Sequence, residues 1–181
     1  MKNILPFLIV LIVTTSCFRK LSPTASAKKL GPNFYVEVDG KALTREEFLA
    51  FDANTIALVN TIYGKEAIKK YGTKAKDGAV IASTQAYARK NYEAFFSGES
   101  EEYKNIISQY KKSEIQYILN DHVLKEIDEG SLALINRKRL ISITFLNSKD
   151  LLDRFQIMDK KIGVSIKAKP PKDLYNSKKA Y

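Results

Sequence analysis

Residues 34–84 read FYVEVDGKALTREEFLAFDANTIALVNTIYGKEAIKKYGTKAKDGAVIAST, and this stretch decides the fold class. Phe34, Val36 and Val38 alternate with Tyr35 and Glu37, the period of a strand with one buried face. Asp39-Gly40 is a tight-turn signal, because glycine tolerates positive φ and aspartate can brace the turn. Lys41-Ala42-Leu43 then pairs back as a short strand. Thr44-Arg45-Glu46-Glu47 fits a capping box, in which the Thr44 hydroxyl and the Glu47 carboxylate satisfy free amides at a helix start. That helix is expected to end near Phe51, with Asp52 or Asn54 capping one further turn. Residues 56–63 are apolar at nearly every position, which predicts a strand covered on both faces. Gly64 breaks it. Residues 65–71 form two helical turns with Ala67, Ile68 and Tyr71 on one side, and Gly72 takes a left-handed cap. Lys76-Asp77-Gly78 turns the chain into a last strand, 79–83. The order is β-β-α-β-α-β.

The same text returns, worn, after Glu114. Gln116-Tyr117-Ile118-Leu119-Asn120-Asp121 parallels residues 34–39, and residues 134–140 parallel 50–56. Residues 140–146 match the middle strand. Asp150, Leu151, Leu152 and Phe155 repeat the spacing of Glu66, Ala67, Ile68 and Tyr71. Lys160-Lys161 with Gly163 parallels Lys76-Asp77-Gly78 one residue out of step, and 164–167 closes the copy. Here the turn glycine is replaced by His122 and the cap glycine by Gln156. Order, spacing and residue class agree, as in an internal repeat.

Between the copies, Ala88, Tyr92, Phe95 and Phe96 recur at helical spacing until Ser97-Gly98 interrupts. Ser100 caps a second helix with Glu101 and Glu102 in its first turn, and Tyr103, Ile106, Ile107 and Tyr110 form its apolar stripe. Core packing is one use for these aromatics. A ligand pocket lined by Tyr92, Phe95, Tyr103 and Tyr110 is the other. A lobe of about 55 residues buries only ~60% of its unfolded surface, so the lobes and the linker helices are expected to pack together.

The segments YVEVDGKAL, FDANTIALVNTI, KEAIKKYG and KDGAVIAST, in that order, resemble the plug domain of TonB-dependent outer-membrane receptors, especially the plug-like modules of Bacteroidetes envelope proteins. In this chain Ile62-Tyr63 stands where the family usually has a leucine-lysine pair, and Gly78 stands for its final glycine pair. A receptor also needs a barrel of ~22 strands, which 181 residues do not supply. The resemblance implies a plug-type fold rather than a transporter. The expected class is α+β: two small plug-like β-β-α-β-α-β lobes joined by a pair of helices.

At the start, Met1-Lys2-Asn3 is a short basic head, and 4–13 is an apolar run broken only by Pro6. It is too short for a mature membrane span and suits a signal-peptide core. Thr14-Thr15-Ser16-Cys17 resembles a loosened lipobox, which implies lipidation of Cys17 and a membrane anchor. Ala25-Ser26-Ala27 offers a second cleavage signal further along. Residues 21–32 lack periodicity and read as a tether. The expected organisation is a signal peptide over 1–16, a lipidated tether over 17–32 and lobe 1 over 33–84. A helical linker over 85–113, lobe 2 over 114–168 and a basic tail over 169–181 follow.

Cys17 is the only cysteine, so no disulfide or cysteine metal cluster forms within one chain. The formal charge is +10, and loss of 1–16 removes only Lys2 from it. The lysines are dispersed, as on an ordinary solvated surface; as binding partners in an exported chain, anionic lipid headgroups, lipopolysaccharide or an acidic protein face are expected ahead of nucleic acid. Arg137-Lys138-Arg139, the densest basic cluster, is a candidate partner contact on a loop before a strand. His122 is the only histidine and lacks obvious partners. The sequence shows no triad, nucleophile elbow or phosphate-cradling loop, and no catalytic residue, metal or cofactor is expected. The expected function is that of a non-enzymatic outer-membrane lipoprotein facing the periplasm. It would bind another outer-membrane or periplasmic protein. The alternative is a periplasmic carrier or sensor for a small anionic or lipidic ligand.

Overall fold

The structure, a computed structural model, describes residues 23–28 and 30–170. The expectations for the signal peptide, for Cys17 and for most of the tail lie outside the described residues. After a short helix, α1 (Pro23–Ala27), lobe 1 runs β1 (Tyr35–Val38), β2 (Lys41–Leu43), α2 (Arg45–Leu49), β3 (Ile56–Ile62), α3 (Gly64–Tyr71) and β4 (Ala79–Thr84). Two linker helices follow, α4 (Gln85–Glu99) and α5 (Glu101–Gln109). Lobe 2 runs β5 (Ile115–Leu119), β6 (His122–Val123), a 3-10 segment (Glu126–Leu134), β7 (Leu140–Asn147), α6 (Ser148–Phe155) and β8 (Ile162–Ala168). The protein is α+β with two four-stranded sheets.

The sheets have the same plan, β2-β1-β4-β3 and β6-β5-β8-β7. In each, a hairpin pairs in parallel with the last strand, and the middle strand pairs antiparallel on that strand's far side. Each middle strand shifts register at one place, between Ile56 and Leu58 and between Leu140 and Ser142. Ile56 and Leu140, Ile62 and Leu146, and Gly72 and Gln156 correspond at one constant offset in residue number. The hairpins correspond at a smaller offset. The added residues of lobe 2 therefore fall in its first crossover, where the nine-residue 3-10 segment replaces α2.

Local chemistry explains the elements. Thr44 and Glu47 form the capping box, with Thr44 N donating to Glu47 Oε2 at 2.7 Å and Glu47 N to Thr44 Oγ1 at 3.2 Å. Asp39 has φ +54° and Gly40 φ +78°. The Asp39 carboxylate accepts from the amide and the hydroxyl of Thr84, tying the hairpin to the end of β4. In lobe 2 the turn is Asn120-Asp121, φ +49° and +67°, and Asn120 bonds both backbone groups of Ala168. So Asp121, not His122, occupies the place of the turn glycine.

Other expectations change as well. β3 is an edge strand, not a doubly covered one, and several of its apolar side chains are half-exposed. α4 continues through Ser97-Gly98 to Glu99, because burial of Tyr92 and Phe96 on its inner face outweighs the roughly 1 kcal/mol that a helical glycine loses to alanine. Gly72 has φ +75° but ψ −165°, outside the left-handed helical region. Gln156, in the equivalent place, does adopt that conformation. Gly163 packs against Leu146 and Leu151, where a Cβ would sit 2.7 Å from Leu151 Cδ2. It serves lobe 2 by close approach rather than as a turn.

Matching sheet faces are covered differently. In lobe 1, Val36, Val38, Val80 and Ala82 pack under Phe48 of α2 and Ala27 of α1. In lobe 2 the corresponding Tyr117, Leu119, Val164 and Ile166 pack under Tyr92 and Phe96 of α4, Tyr103 and Ile106 of α5, and Leu132 of the 3-10 segment. The opposite faces rest on Ala67 of α3 and Leu151 of α6. Ser26 and Ala27 of the second cleavage signal, Ala25-Ser26-Ala27, are buried, Ala27 within the core of lobe 1, so a cut after Ala27 strips cover from that core.

Candidate functional site

The linker aromatics converge as core. Tyr92, Phe96, Tyr103 and Tyr117 are essentially inaccessible. Tyr92–Tyr117 and Phe96–Tyr103 meet edge-on, each with ring centroids 5.5 Å apart, and Phe95 and Tyr110 pack at the margin. Tyr103 and Tyr117 share a hydroxyl–hydroxyl bond of 2.8 Å. Burial pushes the Tyr92 and Tyr103 phenols far above their ordinary value and Tyr117 up to about 12. Tyr92, Phe95, Tyr103 and Tyr110, expected together as a pocket, are therefore brought together as packing, and neither cleft described below is lined by them.

The seam between the lobes holds groups that the sequence reading missed. Glu129, 8% exposed, accepts from the Tyr92 hydroxyl at 3.2 Å. Desolvation raises its pKa, against the lowering pull of Lys112, that hydrogen bond and Arg89. Arg89 itself pairs with Glu93 at 2.6 Å. Gln85 Nε2 donates to Ile127 O at 3.1 Å and to Ile56 O at 3.5 Å, bridging the two lobes. Beside it, Gly130 lies on Ala57, so close that a Cβ at Gly130 would be 2.4 Å from Ala57 Cβ. The 3-10 segment thus covers the bulge of β3. The one sequence signal for this was the lengthened first crossover of lobe 2.

Among the described residues, the equivalent bulge in lobe 2 has no such cover. Ile141, the counterpart of Ala57, is 61% exposed, and among the described residues β7 pairs only with β8, leaving an eight-residue edge strand.

Arg137, Lys138 and Arg139 do lie on a turn before β7, but they divide the work. Arg139 is committed to structure, donating to the carbonyls of Leu134 and Lys169. Arg137, its side chain 84% exposed, reaches Glu99 at 3.2 Å. Lys138 bonds through its backbone amide to Asn136, and its exposed side chain is the freest cation of the three. His122 is exposed on the two-residue strand β6. Among the described residues no group of three or more His, Cys, Asp or Glu side chains converges for a metal.

Two clefts are open to solvent. One, of about 350 Å³, is lined by Lys111, Lys112, Lys160, Gln116, Glu126 and Glu129 among others. Lys112 is engaged by Glu126, and Lys160 donates to Ser113 O at 2.8 Å. The second, of about 510 Å³, runs along lobe 1 past Asn33, Tyr35, Arg45, Glu46 and Lys74. No described helix is long and apolar enough to cross a membrane.

No family model, curated protein or solved structure matches the chain. The plug-domain resemblance thus rests on the sequence segments that carry it.

Proposed function

We propose that this chain is a non-enzymatic accessory protein of the bacterial outer membrane, held by lipid on Cys17, that binds another envelope protein through lobe 2. The observation that carries the reading is the uncovered edge of β7. The bulge of its counterpart β3 is covered within the chain by residues 126–134, whereas among the described residues β7 pairs only with β8 and carries an exposed Ile141. Such an edge accepts an added strand, with main-chain hydrogen bonds giving affinity and neighbouring side chains giving choice. Lys138, on the turn leading into β7, adds attraction for an acidic segment.

A photo-cross-linker at Thr144, on β7, tests this in intact cells. One dominant partner is expected, and Ile141→Lys abolishes its capture. Recovery of only abundant lipoproteins, or capture indifferent to that substitution, removes the reading.

A second reading, a carrier for a small anion, is favoured by the lysine-lined cleft at Glu129. Two of its three lysines already have protein partners, so it ranks below the first. A thermal-shift screen with small di- and tricarboxylates tests it, and a stabilisation that Lys111→Ala eliminates supports it.

A further inference from the structure

The two lobes are built alike, yet the matching helices α3 and α6 carry different charge. α6 is balanced: Lys149 pairs with Asp153, and Asp150 offsets Arg154. On α3 and the turn after it, Lys65, Lys69, Lys70, Lys74 and Lys76 outnumber two acids, Glu66 and Asp77, and among the described residues none of the five lysines makes an ion pair. All five are exposed. Lys65 and Lys69 lie one helical turn apart, on the side away from buried Ala67. Two amines are held in place by rings. Lys70 sits 5.3 Å from the Tyr71 centroid and Lys74 5.7 Å from that of Tyr35, and the two rings stack at 4.7 Å. Tyr63, 52% exposed, and Ile68, 40% exposed, stand out on the same helix and its cap. The second cleft, with Arg45 and Lys74 on its walls, adjoins this face through Tyr35 and Lys74.

We infer that the α3 face of lobe 1 docks on an anionic lipid surface. Lysines spread over a convex helix and turn, around a protruding tyrosine and isoleucine, suit a flat array of anionic headgroups. There the amines pair with headgroups while the apolar tips enter the interface. A compact acidic protein site would be matched by a cluster instead. Its counterpart α6, neutralised by its own acids, offers no such surplus. The inference goes beyond the partner reading above and needs neither a lipid on Cys17 nor the β7 edge.

The chain has no tryptophan, so Tyr63→Trp installs a single reporter on the face. The full-length protein is mixed with vesicles of phosphatidylcholine alone or with roughly 30 mol% phosphatidylglycerol, a fraction that gives the anionic surface potential such lysines respond to. Insertion of the apolar run does not by itself place residue 63 at the interface, so the reporter isolates the face. On anionic vesicles the emission is expected to shift to the blue and to be quenched by brominated lipid, and raised salt should reverse both. Each lysine near such a surface contributes on the order of fivefold in affinity. Adding Lys69→Gln, Lys70→Gln and Lys74→Gln should therefore weaken the response by about a hundredfold. Lys90→Gln, Lys104→Gln and Lys149→Gln together, the same charge removed elsewhere, should leave it nearly unchanged. Circular dichroism checks that each variant is folded, and the salt titration needs only the reporter. A silent reporter on anionic vesicles overturns the inference, as do equal quenching on neutral ones and equal loss in the control set. Capture of an acidic protein by the same face, with no vesicle response, overturns it in favour of a protein site.

Discussion

Glu129 is the residue whose chemistry is most exposed to test. Burial raises its pKa above the ordinary glutamate range, so the folded chain keeps this proton to a higher pH than the unfolded chain does. Its contribution to stability is therefore largest below the ordinary glutamate range. It falls as pH rises toward the elevated folded value and stays low above it. Glu129→Gln keeps an acceptor for the Tyr92 hydroxyl and removes the titration. The variant is expected to melt higher than the parent at neutral pH, with the difference vanishing near pH 4. A gap that stays constant across that range would refute the assignment. Glu129 was not legible in the sequence, where it is one acid in a short polar run. It becomes distinctive only when Tyr92 of α4 is folded over it. The Thr44–Glu47 box and the Asp39-Gly40 turn were legible, because their partners lie within a few residues.

Elements were read well where one rule governed them and poorly where two competed. α5 follows from its cap and period, α3 and α6 from their apolar spacing, and the lobe 1 hairpin from its turn signal. α4 was expected to break at Ser97-Gly98, and tertiary burial of its aromatics carried it through. The first crossover of lobe 2 has no capping box comparable to Thr44–Glu47 and an added length of chain, and it winds as a 3-10 segment. The apolar run of β3 suggested a central strand, but part of its cover comes from the other lobe. The ends of α3 and α6 show the repeat diverging at equivalent places. Gln156 holds φ +58°, a conformation that glycine adopts without strain. Gln156→Gly is expected to stabilise the protein by about 0.5–1 kcal/mol, read from the urea midpoint. A loss of stability there would mean that the Gln156 side chain has an unrecognised contact.

At the scale of the whole molecule, the seam makes the lobes one folding unit. Its closest contact is Gly130 on Ala57. Gly130→Ala is expected to cost about 1–3 kcal/mol through overpacking. Ala57→Gly in the same chain should restore most of it by moving the methyl group across the seam, a coupling that independent sites do not show. Calorimetry of the parent should give a single transition, and two separated melts would disconnect the lobes. The cover of β3 also has a consequence in time. The ribosome delivers lobe 1 first, and the residues that shield its open strand lie beyond both linker helices. Until residues 126–134 emerge, the nascent chain carries an adhesive margin. The order in which the polypeptide is made thus leaves that margin open for the whole interval in which the linker helices are synthesised.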